Sequence, residues 1–376
     1  MTFKKLYDTY SWDEVGQSIY SKTSSDVEIA LCRAKAGSRK PAFCLEDFKA
    51  LISPAAAPFL EEMAELSLQM TQKRFGKTVQ MYIPLYLSNE CQNICTYCGY
   101  SFNNNIKRIT LTDEQILEEV QAIKSHGFDH ILLVTGEAYK IVGIEYFKNV
   151  LKLVRHYFSH LSMEIQPLDK EDYEQLISLG LNTVYIYQET YNKSGYKTYH
   201  LKGRKSNFYS RLETPDRLGS AGIYKIGLGC LIGLEDWRTD AFFTTLHLNY
   251  LEKKYWKTKY SISFPRLRPA EGAMQPRIVI SDKELVQLIC AYRILNEEVE
   301  LTLSTRESVN FRDNVIKLGI TSVSAGSKTY PGGYTKGRQT LEQFEISDQR
   351  TPHEIVEMIK SRGYEAVWKD WDAVMG

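Results

Sequence analysis

Short apolar runs that alternate with stretches of helical periodicity constrain this chain more than any other feature. The runs VQMYIPLYLS (79–88), HILLVTG (130–136), LSMEIQPL (161–168), TVYIYQET (183–190), YKIGLGCLIG (224–233), YSISFPRLRP (260–269), ELTLSTRE (300–307) and ITSVSAGS (320–327) read as strands. Between most of them lies a helical pattern, over 143–158, 170–179, 237–255, 281–295 and 309–318. Another begins at Thr112, where Thr112 and Gln115 form a capping box ahead of Ile116, Val120 and Ile123. Strands apolar on both faces, joined by helices, imply a parallel sheet. Eight such β units fit an α/β fold, a closed (β/α)8 TIM-type barrel, over 77–330.

Residues 1–76 read as an N-terminal helical extension, with Ser25-Asp26 capping a segment that carries Val27, Ala30 and Leu31 on one face. Residues 331–376 read as a C-terminal extension, a Gly-rich connection and a short tail ending in Trp368-Lys369-Asp370-Trp371. The tail suggests either a lid over the barrel or a partner-facing surface.

The 376 residues carry 47 Lys and Arg against 46 Asp and Glu, a net charge of +1. That balance gives no electrostatic case for nucleic acid or an anionic membrane. No apolar run is long enough to span a bilayer, and the N-terminus lacks a signal-peptide core, so a cytoplasmic location is expected.

Seven cysteines are present, an odd count that argues against a disulfide framework. Cys32, Cys44, Cys230 and Cys290 stand singly and read as small hydrophobes. Cys91, Cys95 and Cys98 form CQNICTYC directly after the first predicted strand. Three thiolates at this spacing ligate three irons of a 4Fe-4S cluster and leave the fourth iron open for chemistry. A zinc site, the alternative, wants a fourth Cys or His at knuckle spacing, and no His lies near.

The spacing C-x3-C-x2-C after the first strand of a β/α barrel resembles the radical S-adenosylmethionine (SAM) enzymes. The phrases PLYLSNECQNICTYCGY, LLVTGE, YQETY, RLETPDRLG, SFPRLRP, LSTRES, SKTYPGGY and WKDW together resemble the tyrosine lyases of thiamine synthesis, the 2-iminoacetate synthase family, over essentially the whole chain. Unlike the related hydrogenase-maturation lyase, this chain has no cysteine after Cys290 with which to build a second cluster.

The resemblance implies a 4Fe-4S cluster and SAM as cofactors, with SAM consumed to methionine and 5′-deoxyadenosine. It implies Cα–Cβ cleavage of L-tyrosine to 2-iminoacetate (dehydroglycine) and p-cresol, for the thiazole of thiamine. Thiazole synthase is the implied recipient, and a flavodoxin or ferredoxin the implied electron donor. The alternatives are another radical SAM aromatic amino acid lyase, such as a tryptophan lyase or deazaflavin synthase subunit, and a non-catalytic iron–sulfur carrier or sensor.

Barrel enzymes place site residues at the C-terminal ends of strands. Gly136 and Glu137 close the second strand. By resemblance that backbone edge and the carboxylate meet the SAM ammonium, with a turn and a solvated Glu as the plainer alternative. Glu189 ends the fourth strand, where a charge needs a partner or cavity, and the resemblance gives it the SAM ribose or amine. Arg211 matches the position of an arginine on the SAM carboxylate, with a surface salt bridge as the alternative. Tyr97 is expected near adenine or anchoring the cluster loop. Gly229, with Gly227 and Gly233, leaves room for a nucleoside or relieves packing. By resemblance Ser304 and Arg306 would hold the substrate carboxylate, unless Arg306 pairs with Glu307 or another acid at the barrel top. One of Arg266 and Arg268 faces the cavity, and Gln166 and Ser324 add substrate-site candidates from strands three and eight.

Overall fold

Strands apolar on both faces must be covered on both, and closing the sheet on itself does so. The computed structural model describes residues 2–36 and 45–369. Cys44 and the Asp370-Trp371 half of the tail motif lie outside the described residues. Eight parallel strands, β1 (Thr78–Ser88), β2 (His130–Thr135), β3 (His160–Glu164), β4 (Leu181–Tyr185), β5 (Lys225–Gly229), β6 (Lys259–Ser263), β7 (Glu300–Leu303) and β8 (Ser322–Ser324), pair each with the next. β8 returns to β1 through Gln80↔Ser322, Met81↔Val323 and Tyr82↔Ser324, so the expected (β/α)8 barrel is closed.

The last apolar run continues past β8, which ends at Ser324, and five others also outlast their strands. β3 stops at Glu164, β4 at Tyr185, β5 at Gly229, β6 at Ser263 and β7 at Leu303. The residues beyond are buried loop at the barrel mouth, Ile165, Ile186, Leu231 and Phe264 among them.

The helices start where local chemistry caps them. Thr112 and Gln115 close the expected capping box at the head of the helix Asp113–Ser125. The N-terminal helix expected to be capped by Ser25-Asp26 instead spans Ser24–Lys35 with Thr23 as cap. Asp26 is the third helical residue and accepts from the Thr23 backbone N–H at 2.8 Å. Cys32 on this helix is exposed, so it is not the small core hydrophobe expected, whereas Cys230 and Cys290 are buried. The helix Leu60–Phe75 packs on Asp282–Leu295 of the barrel's outer ring, and Phe3 stacks on His247 at 3.6 Å between centroids.

After β8 the chain crosses the C-terminal ends of the strands without regular structure. It is pinned on the way: Gln343 N–H donates to the Thr329 carbonyl, Glu345 N–H to Pro269 and Ser347 N–H to Thr305. The fully buried Arg312–Asp348 pair, 2.5 Å apart, anchors the far end. A capped helix, Pro352–Ser361, then leads to β9 (Glu365–Val367), which joins β1 in parallel at Thr78–Gln80. Trp368 meets the Phe128 ring edge-on at 5.0 Å. Phe128 precedes β2, so Trp368 sits at the N-terminal end of the barrel. It is no lid: the mouth is crossed by residues 329–348.

Candidate active site

Two chambers meet under that crossing segment. The first is lined by Cys91, Cys95 and Cys98 together with Glu137, Glu189, Lys205 and Arg211. The second is lined by Ser304, Arg306 and Ser324, with Tyr82, Tyr86 and Leu132 beneath. Glu164, Tyr187, Pro265, Arg306 and Phe344 line both, so the chambers form one cavity.

The cysteine loop is shaped by close backbone approach. A Cβ on Gly136 would collide with the Glu90 carbonyl and meet the Cys91 Cβ at 3.2 Å. A Cβ on Gly99 would lie 2.6 Å from the Glu342 carbonyl, and Gly99 N–H donates to the Gln343 carbonyl. The loop is thus clamped between the end of β2 and the crossing segment. Ile94–Cys95 pairs antiparallel with His200–Lys202, which fixes the middle ligand. The three thiols face one cavity, and among the described residues no three His, Cys, Asp or Glu converge on a single ion-sized point. Thiols spread in this way suit a cluster that offers a separate iron to each. Burial pushes all three upward, Cys98 to about 11, so iron binding must displace their protons.

Beside the thiols lies a set of paired charges. Arg211 donates from Nη1 to Glu137 at 2.8 Å and from Nε to the Tyr187 carbonyl at 2.6 Å. Asn93 Nδ2 donates to the other Glu137 oxygen at 2.8 Å. Lys205 Nζ donates to Glu189 at 2.7 Å, and Arg211 lies 3.6 Å from the same oxygen. Burial pushes the Glu189 carboxyl up, but the Lys205 and Arg211 charges outweigh it and hold the group below the usual range. Glu189 is also the one non-glycine among the described residues with positive φ, at 70°. A side chain costs about 1–3 kcal/mol there, and the bonds to Lys205 and the cavity position keep the residue in place. Tyr97 lines the same chamber and bonds His200 Nε2 at 2.8 Å. Burial and the Lys205 charge hold His200 at about 3, so the ring is neutral. Its Nδ1 lies 2.8 Å from the Tyr196 carbonyl and donates there. Nε2 therefore accepts, and the Tyr97 hydroxyl donates.

In the second chamber, Glu307 settles which arginine is free. Glu307 is fully buried and pairs with Arg266 and, at 3.3 Å, with Arg268. Neither arginine from beyond β6 is therefore left for a ligand. Arg306 makes no ion pair with Glu307. Its guanidinium lies 3.3 Å from the Phe344 ring centre and reaches the Arg266 carbonyl at 3.3 Å. Ser304 and Ser324 flank it, with Ser324 Oγ accepting from Thr305 N–H at 3.1 Å.

Two expected site residues fall elsewhere. Gln166 donates to the Val142 carbonyl at 2.6 Å and lines neither chamber, because β3 ends before it and the chain has turned outward. Gly229 faces a separate small pocket beside Cys230 and Trp237. A Cβ there would lie 2.8 Å from the Ser263 carbonyl and 3.0 Å from the Tyr187 ring, and one on Gly227 would collide with the Tyr185 ring. These glycines make room for tyrosines and neighbouring backbone, not for a nucleoside.

The sequence reading missed Glu164, Lys205, Tyr187, Gln343 and Phe344. Glu164 carried a usable signal, a carboxylate inside an apolar strand run. Lys205 stands in the basic run Lys202-Gly203-Arg204-Lys205, which carries no local sign of burial. Gln343 and Phe344 had no signal, since only the tertiary fold brings residues 329–348 over the mouth.

The radical SAM superfamily model matches residues 85–246, and that of the biotin and thiamin synthesis associated domain matches 263–365. The chain is 50% identical to a 2-iminoacetate synthase of Salmonella typhimurium and 49% identical to one of Escherichia coli. Both alignments cover 100% of this chain and 98% of the relative. A crystal structure of HydG, a maturase of the FeFe-hydrogenase, superposes with a TM-score of 0.91 at 31% identity, covering 97% of this chain and 81% of that one. The barrel, the three thiols at its mouth and half of all residues shared from end to end place this chain in the 2-iminoacetate synthase family of radical SAM enzymes.

Proposed function

We propose that this chain is a carbon–carbon lyase that cleaves the Cα–Cβ bond of L-tyrosine to 2-iminoacetate and p-cresol, with SAM consumed to 5′-deoxyadenosine and methionine. The observation that carries this reading is the free Arg306 guanidinium in a chamber that opens onto the cysteine-lined one. An amino acid held there by its carboxylate lies beside the site of SAM. A 4Fe-4S cluster held by Cys91, Cys95 and Cys98 would supply the reducing electron for SAM cleavage, from which 5′-deoxyadenosine and methionine arise.

The chain's own residues do the rest. Cys91, Cys95 and Cys98 hold the cluster, and Gly136 lets the β2 edge approach them. Glu137, Glu189 and Arg211 meet the polar ends of SAM, while Tyr97 walls the chamber beside the cluster loop. Arg306, Ser304 and Ser324 take the substrate carboxylate. Phe344 and the crossing segment close the mouth and exclude water from reactive species.

The product is an imine that water hydrolyses, so direct hand-over to thiazole synthase belongs to this reading. So do a flavodoxin or ferredoxin as reductant and a role in thiamine synthesis. Among the described residues no helix is long and apolar enough to cross a membrane.

The test is turnover by protein reconstituted with iron and sulfide under anaerobic conditions. SAM, a reductant and tyrosine are added, with tryptophan in a parallel reaction. Tyrosine-dependent p-cresol alongside 5′-deoxyadenosine is the expected result. Deoxyadenosine without p-cresol would remove tyrosine cleavage, and neither product from cluster-loaded protein would remove catalysis altogether.

A further inference from the structure

Glu164 is the last residue of β3 and stands in register with Val134 of β2, facing into the barrel mouth. It lines both chambers, yet among the described residues it makes no hydrogen bond and no ion pair. Every other charge around it is accounted for. Lys205 is held by Glu189, and Arg211 by Glu137 with Glu189 nearby. Arg266 and Arg268 are held by Glu307. The phenols that face Glu164 are Tyr82 and Tyr86 from β1 and Tyr187 from beyond β4. Burial pushes all three up, so they stay neutral, and the Tyr86 hydroxyl already donates to Gln343 at 2.8 Å.

The remaining cation is Arg306, which Glu164 feels as its strongest opposing charge without touching it. The two do not form an ion pair, because the Phe344 ring and the Arg266 carbonyl hold the guanidinium away. A half-buried carboxylate at the cavity wall has no partner to offset its lost hydration, and that desolvation raises the Glu164 carboxyl above its ordinary range. A guanidinium and a carboxylate kept apart across a small chamber are complementary to a molecule carrying both opposite charges on one carbon.

We propose that Glu164 receives the α-ammonium group of the amino-acid substrate, opposite the Arg306 guanidinium that takes its carboxylate. The proposal rests on the lyase reading of the same cavity and adds the group that tells an amino acid from a simple carboxylic acid. Held at both ends, the substrate has its Cα–N bond fixed at the border of the chambers, where hydrogen abstraction takes place, while its ring is left to the wall of Tyr82, Leu132 and Val134. In this role Glu164 binds and orients.

The test uses Glu164→Gln, which keeps the shape and removes the charge, in cluster-reconstituted protein. Three quantities are measured: KM for tyrosine, Ki for 3-(4-hydroxyphenyl)propionate, which is tyrosine without its amino group, and Ki for phenylalanine, which lacks only the phenol oxygen. The expected result is a KM for tyrosine raised about 10- to 100-fold, the range of a charge-assisted hydrogen bond. The Ki of the des-amino competitor should stay level or fall, and the SAM-dependent change in the cluster EPR spectrum should persist. Glu164→Asp, which keeps the charge, should retain most of the preference for tyrosine over the des-amino competitor, and it covers the case in which the Gln variant does not fold. If KM and the des-amino Ki rise together in either variant, Glu164 only shapes the chamber and the proposal fails. If the preference for tyrosine over phenylalanine is what disappears, Glu164 meets the phenol and the proposal also fails. Absence of p-cresol from the unsubstituted protein would strike the lyase reading instead, since the Ki values can be replaced by direct binding of the three ligands.

Discussion

The two chambers treat charge in opposite ways. The charged side chains that line the cysteine chamber alone each hold another, Arg211 with Glu137 and Lys205 with Glu189, while Asn93 bridges Glu137 to the cluster loop. In the neighbouring chamber Glu307 takes up Arg266 and Arg268, and leaves Arg306 and Glu164 apart. The first arrangement is a finished frame that stays put while a ligand adds to it. The second is incomplete, and the ligand supplies the missing charges. A site for a consumed cofactor and a site for a selected substrate can therefore be told apart by which carboxylates and cations are already satisfied.

That contrast can be broken by substitution. Cys95→Ala has the largest expected effect. It should abolish 5′-deoxyadenosine formation in protein whose circular dichroism remains that of the folded barrel, and full turnover would undo the assignment of the first chamber. Arg211→Ala removes one member of a finished frame and leaves Glu137 buried without its partner. The expected cost is about 3–5 kcal/mol of stability, seen as a lowered unfolding midpoint by calorimetry under argon. Arg306→Ala should leave that midpoint near its original value while raising the KM for tyrosine about 30-fold, the low end for losing one partner of a buried charge pair. SAM binding, followed through the cluster EPR spectrum, should persist. If Arg211→Ala and Arg306→Ala cost equal stability, the distinction between finished and incomplete charge is wrong. Trp368→Ala is the smallest change and sharpens the comparison from outside. At the far end of the barrel it should cost about 1 kcal/mol, the scale of one aromatic pair, with p-cresol formation per folded molecule unchanged.

Much of this was legible in the sequence, for reasons that also explain the misses. The eight strands showed because burial on both faces makes them continuously apolar. Their ends did not show, because the loops beyond β3 to β7 are buried too, in the walls of the cavity. The same blur misplaced one site residue. Glu164 and Gln166 share a strand phase, and only the place where β3 stops decides that the first faces the cavity while the second bonds Val142. The connection from β4 to β5 holds three helices of seven residues or fewer, Lys193–Tyr199, Phe208–Leu212 and Thr214–Ser220. Helices so short give little periodic signal. Lys205, which lies among them, is drawn inward by Glu189, a residue that local reading cannot pair with it. The cysteines stood out because their chemistry depends on local spacing. Arg306 was named from resemblance, but that Glu307 takes Arg266 and Arg268 instead of Arg306 shows only once the strand ends are in place.

The pairing of β9 with β1 has a consequence for how the molecule is made. β1 begins at residue 78, and its final neighbour is supplied by residues 365–367. During synthesis the strand that leads into the cysteine loop emerges early and keeps an unpaired edge until nearly three hundred further residues have followed, by the span between those positions. Contacts so distant along the chain form late and leave intermediates prone to aggregation. Over the same interval the three thiols lie outside a completed mouth, open both to oxidants and to the donors that deliver iron and sulfide. The order of translation thus gives cluster delivery an opening that closes when residues 329–348 cross the mouth.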